Sequence, residues 1–179
     1  MAIRKIIKYP SPSLRTICQP IDFRDNWFWR AEFLENVQDL KDTLAVTHNG
    51  LALASNQIRE TGFRLFVVRP VPTGEWAVGL PEVVINPKWY PSNGMATVID
   101  EGCLSMPEVN AKVARHDVIK VEYFDISGVE CKIEVAGLDA QIVQHEIDHL
   151  DGKLIYDYLP KRLQIQTRAN AIRNRRAGR

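Results

Sequence analysis

No apolar stretch in this 179-residue chain approaches the roughly 20 residues that a membrane-spanning helix needs, so a membrane protein of the helical kind is not expected. The opening Met1-Ala2-Ile3-Arg4-Lys5-Ile6-Ile7-Lys8 is too short in its apolar part and too quickly charged for a signal peptide. Cysteine is scarce: three residues, an odd number and widely spaced, give no disulfide framework and suit a reducing compartment. Internal repeats and low-complexity segments are absent. Glu and His are missing from Leu150 to Arg179, and acidic residues of either kind are missing from 158 onward. The expectation is a single cytoplasmic, monomeric unit, long enough to bury a substantial core, with ordinary apolar and charged fractions.

Against these absences stands Gln144-His145-Glu146-Ile147-Asp148-His149, which contains HExxH. On a helix, positions i and i+4 are neighbours, so His145 and His149 can bind one ion while Glu146 lies beside its open coordination position. The surrounding pattern predicts that helix. Leu138, Ile142, His145 and His149 follow one helical face, and Val143, Ile147 and Leu150 widen its apolar side, turning the histidines inward. Two surface histidines, or one satisfied core histidine, are the alternative reading.

A catalytic metal needs a third protein ligand. Ile155 occupies the place where HExxHxxGxxH would put a third histidine, and only Asp151 and Asp157 remain as downstream carboxylates. The search therefore moves upstream, to Cys18, Cys103, Cys131, His48 and His116. Cys103 stands out because it lies in Asp100-Glu101-Gly102-Cys103-Leu104-Ser105-Met106-Pro107, where the adjacent Gly permits close approach and the next backbone N–H is a potential donor to substrate. A buried, inert thiol is the alternative, and it suits Cys18 and Cys131 better. Cys131 falls in the alternating run Val129 to Val135 and reads as an inward strand residue.

Coarse periodicity predicts a helix from Trp27 to His48 through Phe33, Leu34, Val37, Leu40, Leu44 and Ala45, broken at Gly50. Phe63–Val68, Val83–Asn86, Val118–Phe124 and Val129–Val135 read as strands, with a turn at Ser127-Gly128. Strands followed by the HExxH helix indicate an α+β fold, with antiparallel or mixed strands packed around that central helix and a basic helix at the C-terminus.

Three segments together, Gly50-Leu-Ala-Leu-Ala-Ser-Asn-Gln57, Glu101-Gly-Cys-Leu-Ser105 and Gln144-His-Glu-Ile-Asp-His-Leu-Asp-Gly152, resemble the signature motifs of peptide deformylases, in the family's order. The likeness runs over most of residues 3 to 159. It implies that Cys103, His145 and His149 are metal ligands with water in the fourth position, and that Glu146 takes and returns the proton. Gln57 and the Leu104 backbone N–H would stabilise the oxyanion. The implied reaction is hydrolysis of the N-formyl group from formylmethionine at the start of nascent peptides, releasing formate. The implied metal is Fe(II), with zinc, nickel or cobalt able to use the same ligands. Leu51, Ile99, Leu138 and Ile142 match the family's methionine pocket. The chain departs from the family pattern at Ala52 and Ser55 in the first motif, and at Asn110, where many bacterial members carry an arginine that helps to hold the substrate backbone; Arg115 is nearby in sequence.

Charge divides the chain into a body, 1 to 159, expected to be the catalytic domain, and a basic tail, 160 to 179. Residues 1 to 157 hold 16 basic and 22 acidic side chains, net −6; residues 158 to 179 hold 7 basic and none acidic, net +7. Ile165, Ala169 and Ile172 lie at helical spacing there, and Arg162, Arg168, Arg173, Arg175, Arg176 and Arg179 are available to phosphates. In bacterial deformylases a similar C-terminal helix docks on the ribosome, and the resemblance implies the same for this tail; a solvated, frayed terminus is the alternative. Two other function classes stand beside the deformylase: another metallohydrolase or peptidase, and a non-catalytic ribosome- or RNA-binding protein with a structural metal site.

Overall fold

The computed structural model describes residues 2–24, 28–60, 62–69 and 80–176, without the side chains of 28–30, 175 and 176. It is an α+β fold with antiparallel strand pairing and, among the described residues, three α-helices. The strands are β1 (Ala52–Ala54), β2 (Leu65–Val68), β3 (Val83–Pro91), β4 (Ala96–Cys103), β5 (Met106–His116), β6 (Val118–Phe124) and β7 (Glu130–Ala136). The helices are α1 (Phe28–Val46), α2 (Gly137–Leu150) and α3 (Lys161–Arg176). Five strands form one sheet in the order β1-β2-β3-β6-β7, and β4 and β5 form a separate hairpin.

Period-two alternation sorts the strand residues between two apolar layers. Phe66 and Val68 join Ile119 and Val121 against Ile142, Val143, Ile147 and Leu150 of α2. Their chain neighbours Leu65 and Val67, with Val83 and Ile85, face the other way, against Phe33, Val37, Leu40 and Leu44 of α1. Each fully buried aliphatic side chain of this kind contributes about 1.5–3 kcal/mol through surface removed from water. A third layer, of Met106, Ala111 and Val113 with Leu14, Leu154, Ile155 and Leu159, lies under the hairpin.

Several expectations need adjustment. α1 ends at Val46 rather than His48, where the Arg69 guanidinium donates to the Leu44 and Thr47 carbonyls; the predicted start at Trp27 lies outside the described residues. Leu34 and Ala45 point to solvent, because the buried face of α1 is the 4-3-4 spacing of Phe33, Val37, Leu40 and Leu44. The strand expected from Phe63 begins at Leu65, and the one expected to end at Asn86 runs on to Pro91 through a register irregularity at Asn86 (φ 49°). β1, β4 and β5 were not among the expected strands. Gly102 lies inside a strand, and the turn falls just after Cys103.

The tail is helical, but the predicted apolar stripe does not face the body. Ile165 is 71% and Ile172 41% exposed, whereas Gln164, Thr167, Ala171 and Asn174 are the half-buried positions. Arg175 and Arg176 side chains and Arg179 lie outside the described residues. No helix among the described residues is long and apolar enough to cross a membrane.

Candidate metal centre

α2 carries His145, Glu146 and His149 because one turn separates the histidines and the apolar stripe beside them anchors the helix on the sheet. Cys103 reaches the same point from the end of β4. One donor atom from each of Cys103, His145 and His149 lies within 4.8 Å of the others, the single such cluster among the described residues. Cys103 Sγ is 3.1 Å from His149 Nε2, and the two imidazoles stand edge-on with centroids 5.0 Å apart. The other ligand candidates lie elsewhere. Cys18 is buried against Ser55, Cys131 is on β7, His48 is exposed beyond α1, and His116 packs on Trp89. Asp151 and Asp157 are paired with Arg64 and Arg15.

Burial opposes ionisation of the Cys103 thiol, yet His149 and His145 beside it draw its pKa well below the ordinary value. A cysteine whose ionisation is favoured by two neighbouring imidazoles is, with them, a donor set that suits a late first-row divalent ion. Burial also pushes the Glu146 carboxyl upward, the two histidines only partly opposing it, and its Oε2 is buried without a partner among the described residues. A raised carboxyl is suited to exchanging a proton.

Gln57 is buried, with its Oε1 accepting from Ala54 N–H at 2.8 Å and its Nε2 3.1 Å from Ser105 Oγ and 3.9 Å from Cys103 Sγ. Its amide nitrogen is thereby fixed at the cysteine, and Leu104 follows Cys103 directly. Leu51, Leu138 and Ile142 share the apolar layer over α2, and Ile99 is half-buried in β4, two residues before the buried Glu101. Ala52 is buried in that same layer, while Ser55 turns away, its hydroxyl donating to the Phe63 carbonyl. The departure at Ser55 is therefore a core substitution. Asn110 is exposed opposite Gly102.

Sequence reasoning missed a buried polar chain behind the histidines. His145 Nδ1 is 3.0 Å from Glu101 Oε2; Arg115 spans both Glu101 oxygens at 2.7 and 2.9 Å and reaches Asp148 at 2.6 Å; Tyr158 donates to Asp148 at 2.8 Å. Against the cost of burial, Arg115 and His145 lower the Glu101 pKa to about 2. With Nδ1 engaged by a carboxylate, His145 presents Nε2 to the cluster. Arg115 is consequently not free to take the role of an arginine at 110. Asp148 inside HExxH was the available signal, since an acidic side chain one residue from a buried histidine needs a cation. Asn56 adds a further tie, its amide donating to the His149 carbonyl at 2.5 Å.

A helix-borne HExxH closed by a cysteine from a neighbouring hairpin has the form of a metal-dependent hydrolase centre. The sequence pattern of the polypeptide deformylase family matches residues 3–164, and the chain belongs to that family. It is 38% identical over 161 residues to a peptide deformylase of Rhizobium meliloti and 34% identical over 161 residues to one of Brucella suis, in each case covering 90% of this chain and 87% of the relative. Among solved structures, the Ehrlichia chaffeensis peptide deformylase superposes with a TM-score of 0.84 at 26% identity, covering 99% of both chains. The Legionella pneumophila enzyme gives 0.79 at 32%, covering 99% of this chain and 98% of that one.

Proposed function

We propose that this enzyme hydrolyses the N-formyl group from the formylmethionine that begins nascent peptides, releasing formate. The observation that carries the reading is the convergence of Cys103, His145 and His149 with a buried, unpartnered Glu146 oxygen and the Gln57 amide. Cys103, His145 and His149 would hold a divalent ion, Fe(II) in our reading, with zinc, nickel or cobalt accepted by the same donors. When bound, the ion supplies Lewis acidity that acidifies water and polarises the formyl carbonyl.

Glu146 accepts a proton as water adds to the formyl carbon, and delivers it to the departing amine as the C–N bond breaks. Gln57 Nε2 and the Leu104 N–H hold the oxygen on which charge develops. Leu51, Ile99, Leu138 and Ile142 supply the apolar wall for the methionine side chain. In this reading residues 1–159 are the catalytic unit, with the HExxH helix at its centre, acting as a cytoplasmic monomer. Residues 160–179 dock on the ribosome through their arginines.

The test is formate release from formyl-Met-Ala-Ser by protein loaded with Fe(II) or Ni(II). Glu146→Ala should lower kcat by about 10²–10⁴. Equal rates for variant and wild type would reject the mechanism, and a Cys103→Ser protein that keeps its full metal content would reject the ligand set.

A further inference from the structure

Lys8 stands where the two segments carrying the proposed oxyanion donors are tied together. Its chain neighbours bridge them: Ile7 N–H donates to the Gln57 carbonyl at 2.7 Å, and Tyr9 N–H to the Ser105 carbonyl at 3.0 Å. The Lys8 ammonium itself donates to the Leu104 carbonyl at 2.5 Å. Covalent geometry keeps the nitrogen and carbonyl oxygen of one residue within about 3.6 Å, so the ammonium lies within about 6 Å of the Leu104 N–H.

Arg115 is shared between Glu101 and Asp148, and position 110 is a neutral asparagine.

We infer that Lys8 is a positioning residue for the oxyanion: it pins the Leu104 main chain whose N–H meets the formyl oxygen, and sets a positive charge close to that N–H. The inference rests on the deformylase reading above. The formyl oxygen gains its charge only as water adds, so the benefit belongs to the transition state and is read in kcat rather than in KM. Lys8 is exposed and belongs to none of the apolar layers, so its replacement should leave the fold intact.

The experiment compares metal-loaded wild type, Lys8→Met and Lys8→Arg on formyl-Met-Ala-Ser, with thermal midpoints measured alongside. Lys8→Met should lower kcat about three- to tenfold at unchanged KM and midpoint, and Lys8→Arg should recover most of the loss. The effect should shrink at high salt. An unchanged kcat in Lys8→Met, or a Lys8→Arg protein as slow as Lys8→Met, would overturn the inference while leaving the deformylase reading in place. Wild type that releases no formate would overturn both.

Discussion

Arg115 shows how much of this site rests on residues that never approach the reacting atoms. It is 5% exposed, and its charge is the counterweight to Glu101 and Asp148, whose further partners are His145 and Tyr158. Replacing it with Met should cost about 3–5 kcal/mol in urea unfolding, because a buried pair broken on one side leaves uncompensated charge. The same variant should bind its metal about 10–100-fold more weakly, since Glu101 then loses the partner that holds it on His145. Metal titration and denaturation together check this; an Arg115→Met protein with wild-type values in both would show the chain of contacts to be incidental. Sequence spacing made the two histidines and Glu146 legible at this scale. Arg115 was not legible, because its partnership with Glu101 is created by the β4–β5 pairing, and β4 was not among the expected strands.

At the scale of elements, a buried carboxylate of α1, Asp39, joins two segments that flank the site. Asp39 accepts from Arg4 at 2.7 Å and from Arg59 at 3.0 Å, while Arg4 N–H donates to Thr43 Oγ1 at 2.9 Å. The helix thus holds both the N-terminal strap that carries Lys8 and the segment just after Gln57. Burial works against the Asp39 carboxylate, but Arg4 and Arg59 outweigh it and set its folded pKa below the ordinary 3.8. A depressed acid contributes its full stability above the ordinary value and loses it as pH falls through the lower, folded value. Asp39→Asn should therefore flatten the acid side of the stability curve below pH 3.8. At neutral pH it should cost about 1–2 kcal/mol, a modest figure because Arg4 is 40% exposed. Thermal midpoints of both proteins across pH check it; parallel curves would assign the acid sensitivity elsewhere. The helices α1 and α2 were readable because their apolar residues recur at helical spacing over several turns. The three-residue β1 offers no such run, and its strand character comes from pairing with β2.

For the whole molecule, the division between body and tail invites a direct test. α3 meets the body through polar contacts at its first turn, Gln164 Nε2 to the Leu159 carbonyl at 2.9 Å and Tyr156 hydroxyl to the Gln164 carbonyl at 3.2 Å, and its isoleucines face outward. Removing residues 161–179 should shift the thermal midpoint by less than about 4 °C and leave formate release from a short formyl peptide unchanged. The truncated protein should lose salt-sensitive ribosome binding; unchanged binding would reject the docking role. The sequence by itself determined the HExxH helix, the charge split and the motifs that mark the family, because these are local: fixed spacing on one helix, composition, and short runs. The tertiary structure decided which distant residues meet. Strand pairing set Arg115 beside Glu101, and packing of that hairpin against α2 brought Cys103 to the histidines and Arg115 to Asp148. Such choices depend on register and on which face of an element finds a partner, and neither is written in the spacing of one segment.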